Sequence, residues 1–184
     1  MKALLKSIMD EIAGVLGNVD EAKCLAFAER IGKAKRIFIA GEGRSGLMGK
    51  AFAMRLMHAD YPAFVVGETI TPNIEQGDML LAISGSGTTG SIQLYVSQAK
   101  QIGADIALIT TNETSPLAES SDFVLRLPAA TKRRLADEPA TMQPLGNQFD
   151  QSLHLLLDAV MIHIVRASSS DPQELMAKRH TNLQ

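Results

Sequence analysis

Apolar residues in the middle of this chain come in short unbroken runs, whereas those near its two ends recur at helical spacing. The runs cover positions 36–40, 63–66, 79–84, 105–110 and 123–127. None of them alternates with polar residues, which predicts strands buried on both faces of a parallel sheet covered by helices. Helical stretches separate them: "SGLMGKAFAMRLMHAD", "TGSIQLYVSQAKQIG" and the short "SPLAESS". The join between the second and third strands, "GETITPNIEQGD", holds Pro72 and Gly77 and predicts little regular structure.

Leu4, Leu5, Ile8, Ile12, Val15 and Leu16 mark an amphipathic helix at the start. Asp10 and Glu11 interrupt the stretch and argue against a signal peptide. A long helix is expected over about 145–167, apolar nearly all round from Phe149 to Val165. Such a helix is buried in a core or against another subunit. Its most apolar part, "LLLDAVMIHIV", is too short to cross a bilayer and contains Asp158 and His163, so no membrane contact is expected. Ser170 or Asp171 would cap a last short helix with Pro172 in its first turn.

Composition adds limits. The 184 residues suit one ordinary domain, and 46% hydrophobic with 21% charged residues predicts a soluble globular protein. A net charge of −2 lacks the basic surplus of a nucleic-acid binder. The single cysteine, Cys24, permits no intramolecular disulfide and fits a reducing, cytoplasmic setting. On its helical stretch it reads as a small buried apolar residue rather than a nucleophile.

Two glycine-rich turns carry the candidate chemistry. "GEGRSG" (41–46) follows the first strand and "SGSGTTGS" (84–91) the third, and each opens a helix. In a parallel sheet ligands collect at these carboxyl ends, and the N–H groups of a helix start favour an anion. The first turn fits a dinucleotide fingerprint, with Glu68 placed where a ribose-binding acid would stand. The alternative is that Gly41, Gly43 and Gly46 only permit a tight turn and close helix packing. The second turn lacks the lysine of a nucleoside-triphosphate loop. Its hydroxyls, on Ser84, Ser86, Thr88, Thr89 and Ser91, suit the outer oxygens of a phosphate monoester. The plainer possibility is a hydroxyl-capped helix start without ligand.

"GEGRSG…KAFAMRLMH", "VVGETITP", "ISGSGTT" and "PLGNQFD…LLLDAV" together resemble the 6-phospho-3-hexuloisomerases of the sugar isomerase (SIS) domain superfamily. The resemblance runs from about Ile37 to the tail "AKRH". It implies a single SIS domain over 1–184, a three-layer α/β/α sandwich around a five-stranded parallel sheet of flavodoxin-like type. It also implies a homotetramer, with the helices of about 1–34 and 145–181 at the interfaces. The implied activity interconverts D-arabino-3-hexulose 6-phosphate and fructose 6-phosphate, in the ribulose monophosphate route of formaldehyde fixation. No cofactor and no metal are implied. The family's phosphate turn maps onto Ser84, Gly85, Ser86, Gly87, Thr88 and Thr89, and its first-turn serine onto Ser45. Gly43 and Arg44 then meet the rest of the substrate. The family's carboxylate base, usually a glutamate, falls on Asp150, and its C-terminal histidine on His180. Aspartate withdraws the carboxylate by about 1.5 Å, a displacement to which catalysis is sensitive.

Moving a carbonyl from C3 to C2 passes through a cis-enediol. Asp150 and His180 could serve as carbon base and oxygen proton carrier, His180 from a neighbouring subunit, with Arg44 steadying oxygens or phosphate. Simpler roles exist for each residue. Asp150 suits a helix first turn, His180 a frayed end and Arg44 a surface. Asp150, His154 and Asp158 share a helical face and raise a metal site, although a polar pairing is the simpler reading. His58 reads as a helix C-terminal cap. Lys132, Arg133 and Arg134 could cover a phosphate, or form a solvated charged loop. The competing functions are a non-catalytic sugar-phosphate sensor and a nucleotide-dependent oxidoreductase.

Overall fold

A computed structural model gives the architecture and describes residues 1–168 and 171–182. Helices α1 (Lys2–Leu16) and α2 (Glu21–Lys33) precede a βα core. The core runs β1 (Ile37–Gly41), α3 (Gly43–His58), β2 (Ala63–Val65), β3 (Met79–Ile83), α4 (Gly90–Ile102), β4 (Asp105–Thr110), α5 (Pro116–Ser120) and β5 (Phe123–Arg126). Helices α6 (Asn147–Ser168) and α7 (Pro172–Ala177) close the chain. All neighbouring strands pair in parallel, in the order β2-β1-β3-β4-β5. This is the expected five-stranded sheet, with helices on both faces.

Why the runs lack polar alternation is visible in the packing. Successive strand residues point to opposite faces, and both faces are covered. Ile37, Ile39, Met79, Leu81 and Ile83 meet residues of α2, α3 and α6 on one face. Phe38, Ala40, Leu80, Ala82, Ile106 and Leu108 meet those of α4 and α5 on the other. The edge strand β2 is only half-buried and shorter than its apolar run. The other strand ends lie within about two residues of expectation, as helix and strand ends do.

Local sequence sets the helix limits. Asp20, Ser115 and Asp171 each accept a backbone N–H at the start of α2, α5 and α7. Asp171 is therefore the cap of the last helix; Ser170 lies outside the described residues. Gly103 ends α4 at φ 86°, a left-handed conformation in which glycine has no Cβ penalty. Helix α6 is less uniformly buried than its composition suggests. Phe149, Leu153, Leu157 and Val160 enter the core, while Leu155 and Ile162 stay exposed.

The chain leaves β1 toward one side for β2 and returns to the other side for β3. The strand order therefore switches between β1 and β3. Their carboxyl ends, where the two glycine turns lie, flank the place at which such sheets bind ligands.

Candidate functional site

The first turn is built by close backbone approach. A Cβ on Gly46 would collide with the Gly41 carbonyl oxygen, and Gly43 sits at φ 55°. These glycines let α3 start directly against β1. The side chains of the turn do not fan out around an open space. Ser45 Oγ donates to Asp150 Oδ1 at 2.8 Å. Arg44 Nε donates to Asp150 Oδ2 at 3.2 Å, and its Nη2 to Asn147 Oδ1 at 2.6 Å. Glu42 accepts from Ser91 Oγ at 2.6 Å, which ties the first turn to the start of α4. Glu68 pairs with Lys50 at 2.5 Å, the plain cation pairing rather than a free ribose contact.

Asp150 is 5% exposed, in the first turn of α6. A buried carboxylate needs donors to its charged form. Ser45 and Arg44 supply one to each oxygen. The helix start is itself fixed, since Asn147 donates to Gln143 Oε1 at 2.8 Å and Gln148 Oε1 accepts from Ala130 N at 2.7 Å. Phe149, beside Asp150, packs on the second turn: a Cβ on Gly85 would stand 3.4 Å from its ring. Phe149, next to Asp150 in sequence, thus seats the start of α6 against Gly85, where an added Cβ would make ordinary van der Waals contact.

In that loop Ser84 Oγ and Thr89 Oγ1 lie 2.8 Å apart, and Ser86 Oγ and Thr88 Oγ1 3.1 Å apart. Thr89 stands at the N-cap of α4, yet its side chain makes no capping bond. A cap without ligand would use that hydroxyl on the helix N–H groups. Here it is spent on Ser84 instead, which speaks against the plain capping alternative. Gly85 O accepts from Thr111 N at 3.1 Å and Thr111 Oγ1 at 2.8 Å, fixing the backbone from β4. Gly87 lies at φ 65°, and a Cβ there would collide with Ser115.

The structure thus gathers Gly43, Arg44, Ser45, Asp150 and, through Phe149, the loop of Ser84 to Thr89 at one end of the sheet. It does not bring His180 there within one protomer. His180 stacks on His58 at a centroid distance of 5.5 Å. His58 is the last residue of α3, which begins at Gly43, so the 16-residue helix spans about 24 Å between the two places. His58 is buried, and burial, then the Arg55 and His180 charges, push its imidazole below the usual range. Helix end and aromatic stack describe it better than a cap. Arg179 pairs with Asp60 at 2.5 Å and holds the tail beside it.

Of the charged loop, Arg133 Nη2 donates to Thr88 Oγ1 at 3.1 Å. Arg134 instead donates to the Thr131 carbonyl at 2.6 Å and to that of Gln143, so it braces the loop. His154 pairs with Asp158 at 3.6 Å while Asp150 turns to Ser45, so the three do not share a point. Among the described residues no group of three metal-ligating side chains assembles. Also among them, no helix is long and apolar enough to cross a membrane.

The SIS domain profile matches residues 30–142. The chain belongs to the SIS domain family. It is similar to the 3-hexulose-6-phosphate isomerase of Bacillus subtilis (strain 168), 36% identical over 177 residues, which cover 96% of this chain and 95% of the relative. It is 39% identical over 180 residues to the 3-hexulose-6-phosphate isomerase of Mycobacterium gastri, covering 98% of this chain and 89% of the relative. A solved structure from Methanococcus jannaschii, described as inferring a molecular function of 3-hexulose-6-phosphate isomerase, superposes with a TM-score of 0.85 at 34% identity. That match covers 99% of both chains.

Proposed function

We propose that this SIS protein is an isomerase interconverting D-arabino-3-hexulose 6-phosphate and fructose 6-phosphate, the activity named by its full-length relatives. The observation that carries the mechanism is the buried Asp150 carboxylate, gripped by Ser45 and Arg44 and set beside the hydroxyl turn through the Phe149–Gly85 contact. A sugar-phosphate sensor would need the turn but not this carboxylate.

The turn at Ser84, Gly85, Ser86, Gly87, Thr88 and Thr89 holds the phosphate by hydroxyl and N–H donors at the start of α4. Its fixed position aims the sugar's C2–C3 unit at Asp150. Asp150 takes the C2 proton, and the C2–H electron pair becomes the C2=C3 double bond of a cis-enediolate. The C3 carbonyl oxygen gains charge as this happens, and Arg44, with N–H donors beyond those spent on Asp150 and Asn147, is the cation beside it. Return of the proton from Asp150 to C3, with the O2 proton transferred to O3, gives the 2-ketose. Gly43 allows close approach of the backbone. His180 would carry the oxygen-to-oxygen proton only at a neighbouring subunit's site, because in its own protomer it stands at the far end of α3.

That role goes with a homotetramer in which α1, α2, α6 and α7 form the contacts. The exposed Leu4, Leu5, Met9, Leu25, Leu155 and Ile162 on three of these helices support it. A phosphorylated substrate, which does not cross membranes unaided, places the reaction in the cytoplasm, within the ribulose monophosphate route. The test is to supply enzymatically made hexulose 6-phosphate and follow fructose 6-phosphate, with and without a chelator. Turnover unaffected by the chelator is expected; no conversion, with binding of the sugar phosphate intact, would favour the sensor.

A further inference from the structure

Arg133 stands apart from the arginines that pair with acids. Arg30, Arg36, Arg44 and Arg179 each bond a carboxylate. Among the described residues no ion pair includes Arg133; its guanidinium rests on the neutral hydroxyl of Thr88. Of the two acids in its own loop, Asp137 makes no ion pair with it, and Glu138 is spent elsewhere: it accepts from Thr131 N at 2.9 Å, Thr131 Oγ1 at 2.5 Å and Leu135 N at 3.2 Å. The positive charge of Arg133 therefore lies at the hydroxyl turn without an ion pair to either acid of its loop.

The backbone around Arg133 is held by hydrogen bonds, while its exposed side chain makes the one to Thr88. Arg133 N donates to the buried Thr131 Oγ1 at 3.1 Å, and Arg134 is bound to the Thr131 and Gln143 carbonyls. The contact also has a direction. A guanidinium only donates, so Thr88 Oγ1 is the acceptor in this bond. Thr88 Oγ1 also lies 3.1 Å from Ser86 Oγ, a pair in which either hydroxyl can donate, and Ser86 Oγ accepts from Thr88 N at 3.3 Å. Both hydroxyls carry a proton that an anion can accept.

We propose that Arg133 is the cationic arm of the phosphate site: it rests on Thr88 in the free protein and turns onto the outer oxygens of a bound phosphate monoester dianion. The inference rests on the Ser84–Thr89 turn being the phosphate cradle. It assigns a part of substrate affinity to a loop outside the two glycine turns. Because the phosphate keeps its charge through the reaction, the arm acts on ground state and transition state alike, so it moves KM and leaves kcat.

The test compares Arg133→Gln, Arg133→Lys, Ser86→Ala and Lys33→Gln, the last removing an exposed charge before β1 at the other end of the sheet. Dissociation constants for fructose 6-phosphate and inorganic phosphate are measured by calorimetry, and kcat and KM by turnover. Arg133→Gln should weaken both ligands about ten- to hundredfold and raise KM to match, with kcat within about threefold. Arg133→Lys should recover part of the affinity, and the loss on adding salt should be shallower in Arg133→Gln than in the unaltered protein. Fructose 6-phosphate binding to Arg133→Gln within about twofold of the unaltered protein, while Ser86→Ala weakens it, overturns the arm and leaves the cradle standing. Unchanged binding in both variants overturns arm and cradle together. Equal weakening by Lys33→Gln overturns the arm in favour of overall charge.

Discussion

Ser45 Oγ and Asp150 Oδ1 lie 2.8 Å apart although 105 positions separate them in sequence. This bond joins the turn after β1 to the first turn of α6, and Arg44 doubles it on the other oxygen. It gives the aspartate a defined place despite its short side chain. Ser45→Ala and Arg44→Gln should each lower kcat about ten- to hundredfold, because a carboxylate misplaced by about 1 Å loses that much. KM should change less, since the proposed mechanism anchors the phosphate at the second turn. Steady-state kinetics on the two variants decide this; a rise in KM alone would make Ser45 and Arg44 substrate-binding groups only.

Gly87 offers a stability test of the turn. Its φ of 65° and the collision of an added Cβ with Ser115 leave no room for alanine. Gly87→Ala should cost about 1–3 kcal/mol of stability and abolish phosphate binding. Gly90 has an open Cβ position, so Gly90→Ala serves as the matched control. Denaturant melts and phosphate titrations of both variants make the measurement.

The buried His58 makes the junction with the tail sensitive to acid. Burial first, then the Arg55 and His180 charges, holds its imidazole below the ordinary value of 6.5. The unfolded chain therefore takes up the proton before the folded one does. Stability attached to His58 is fully present above about pH 6.5 and is lost as pH falls through the lower folded value. The unfolding free energy should drop on acidification in that window. His58→Phe should flatten the slope, and an unchanged slope would remove His58 as its source.

The assembly has its own test. Leu155 and Ile162 lie on the exposed side of α6. If the proposed tetramer forms, Leu155→Lys with Ile162→Lys should shift the mass in solution toward smaller species, read by light scattering. Activity should fall with it if His180 of one subunit serves the next. Dissociation with full activity would release His180 from the proton-carrying role.

Much of the fold was legible because the signals are local. Unbroken apolar runs such as Met79–Ile83, five residues long and bounded by turn residues, read as strands covered on both sides, and glycine turns mark their ends. The hydroxyl content of the second turn was legible, and its use for a phosphate is part of the proposal. What could not be read is where long side chains end. Nothing in "GRSG" says that Arg44 and Ser45 turn to Asp150 rather than to open solvent, because that depends on how α6 packs across the sheet. Arg133 lay within a charged run whose neighbours Arg133 and Arg134 look alike, yet one reaches Thr88 and the other braces carbonyls. His180 matched a family position, but its placement against His58 depends on the docking of α7. A signal for Arg133 existed in Thr131 and Glu138, whose pairing fixes the loop, but only tertiary contact reveals it.

The account stands most directly on Asp150→Asn, assayed for both turnover of hexulose 6-phosphate and affinity for fructose 6-phosphate. The amide keeps the size of the side chain and its contacts with Ser45 but cannot take a proton from carbon. The expected result is a fall in kcat of about a thousandfold or more, with the dissociation constant within about threefold. An Asp150→Asn protein that turns over at the unaltered rate would contradict the assignment of the base and, with it, the mechanism built on the carboxylate between the two glycine turns.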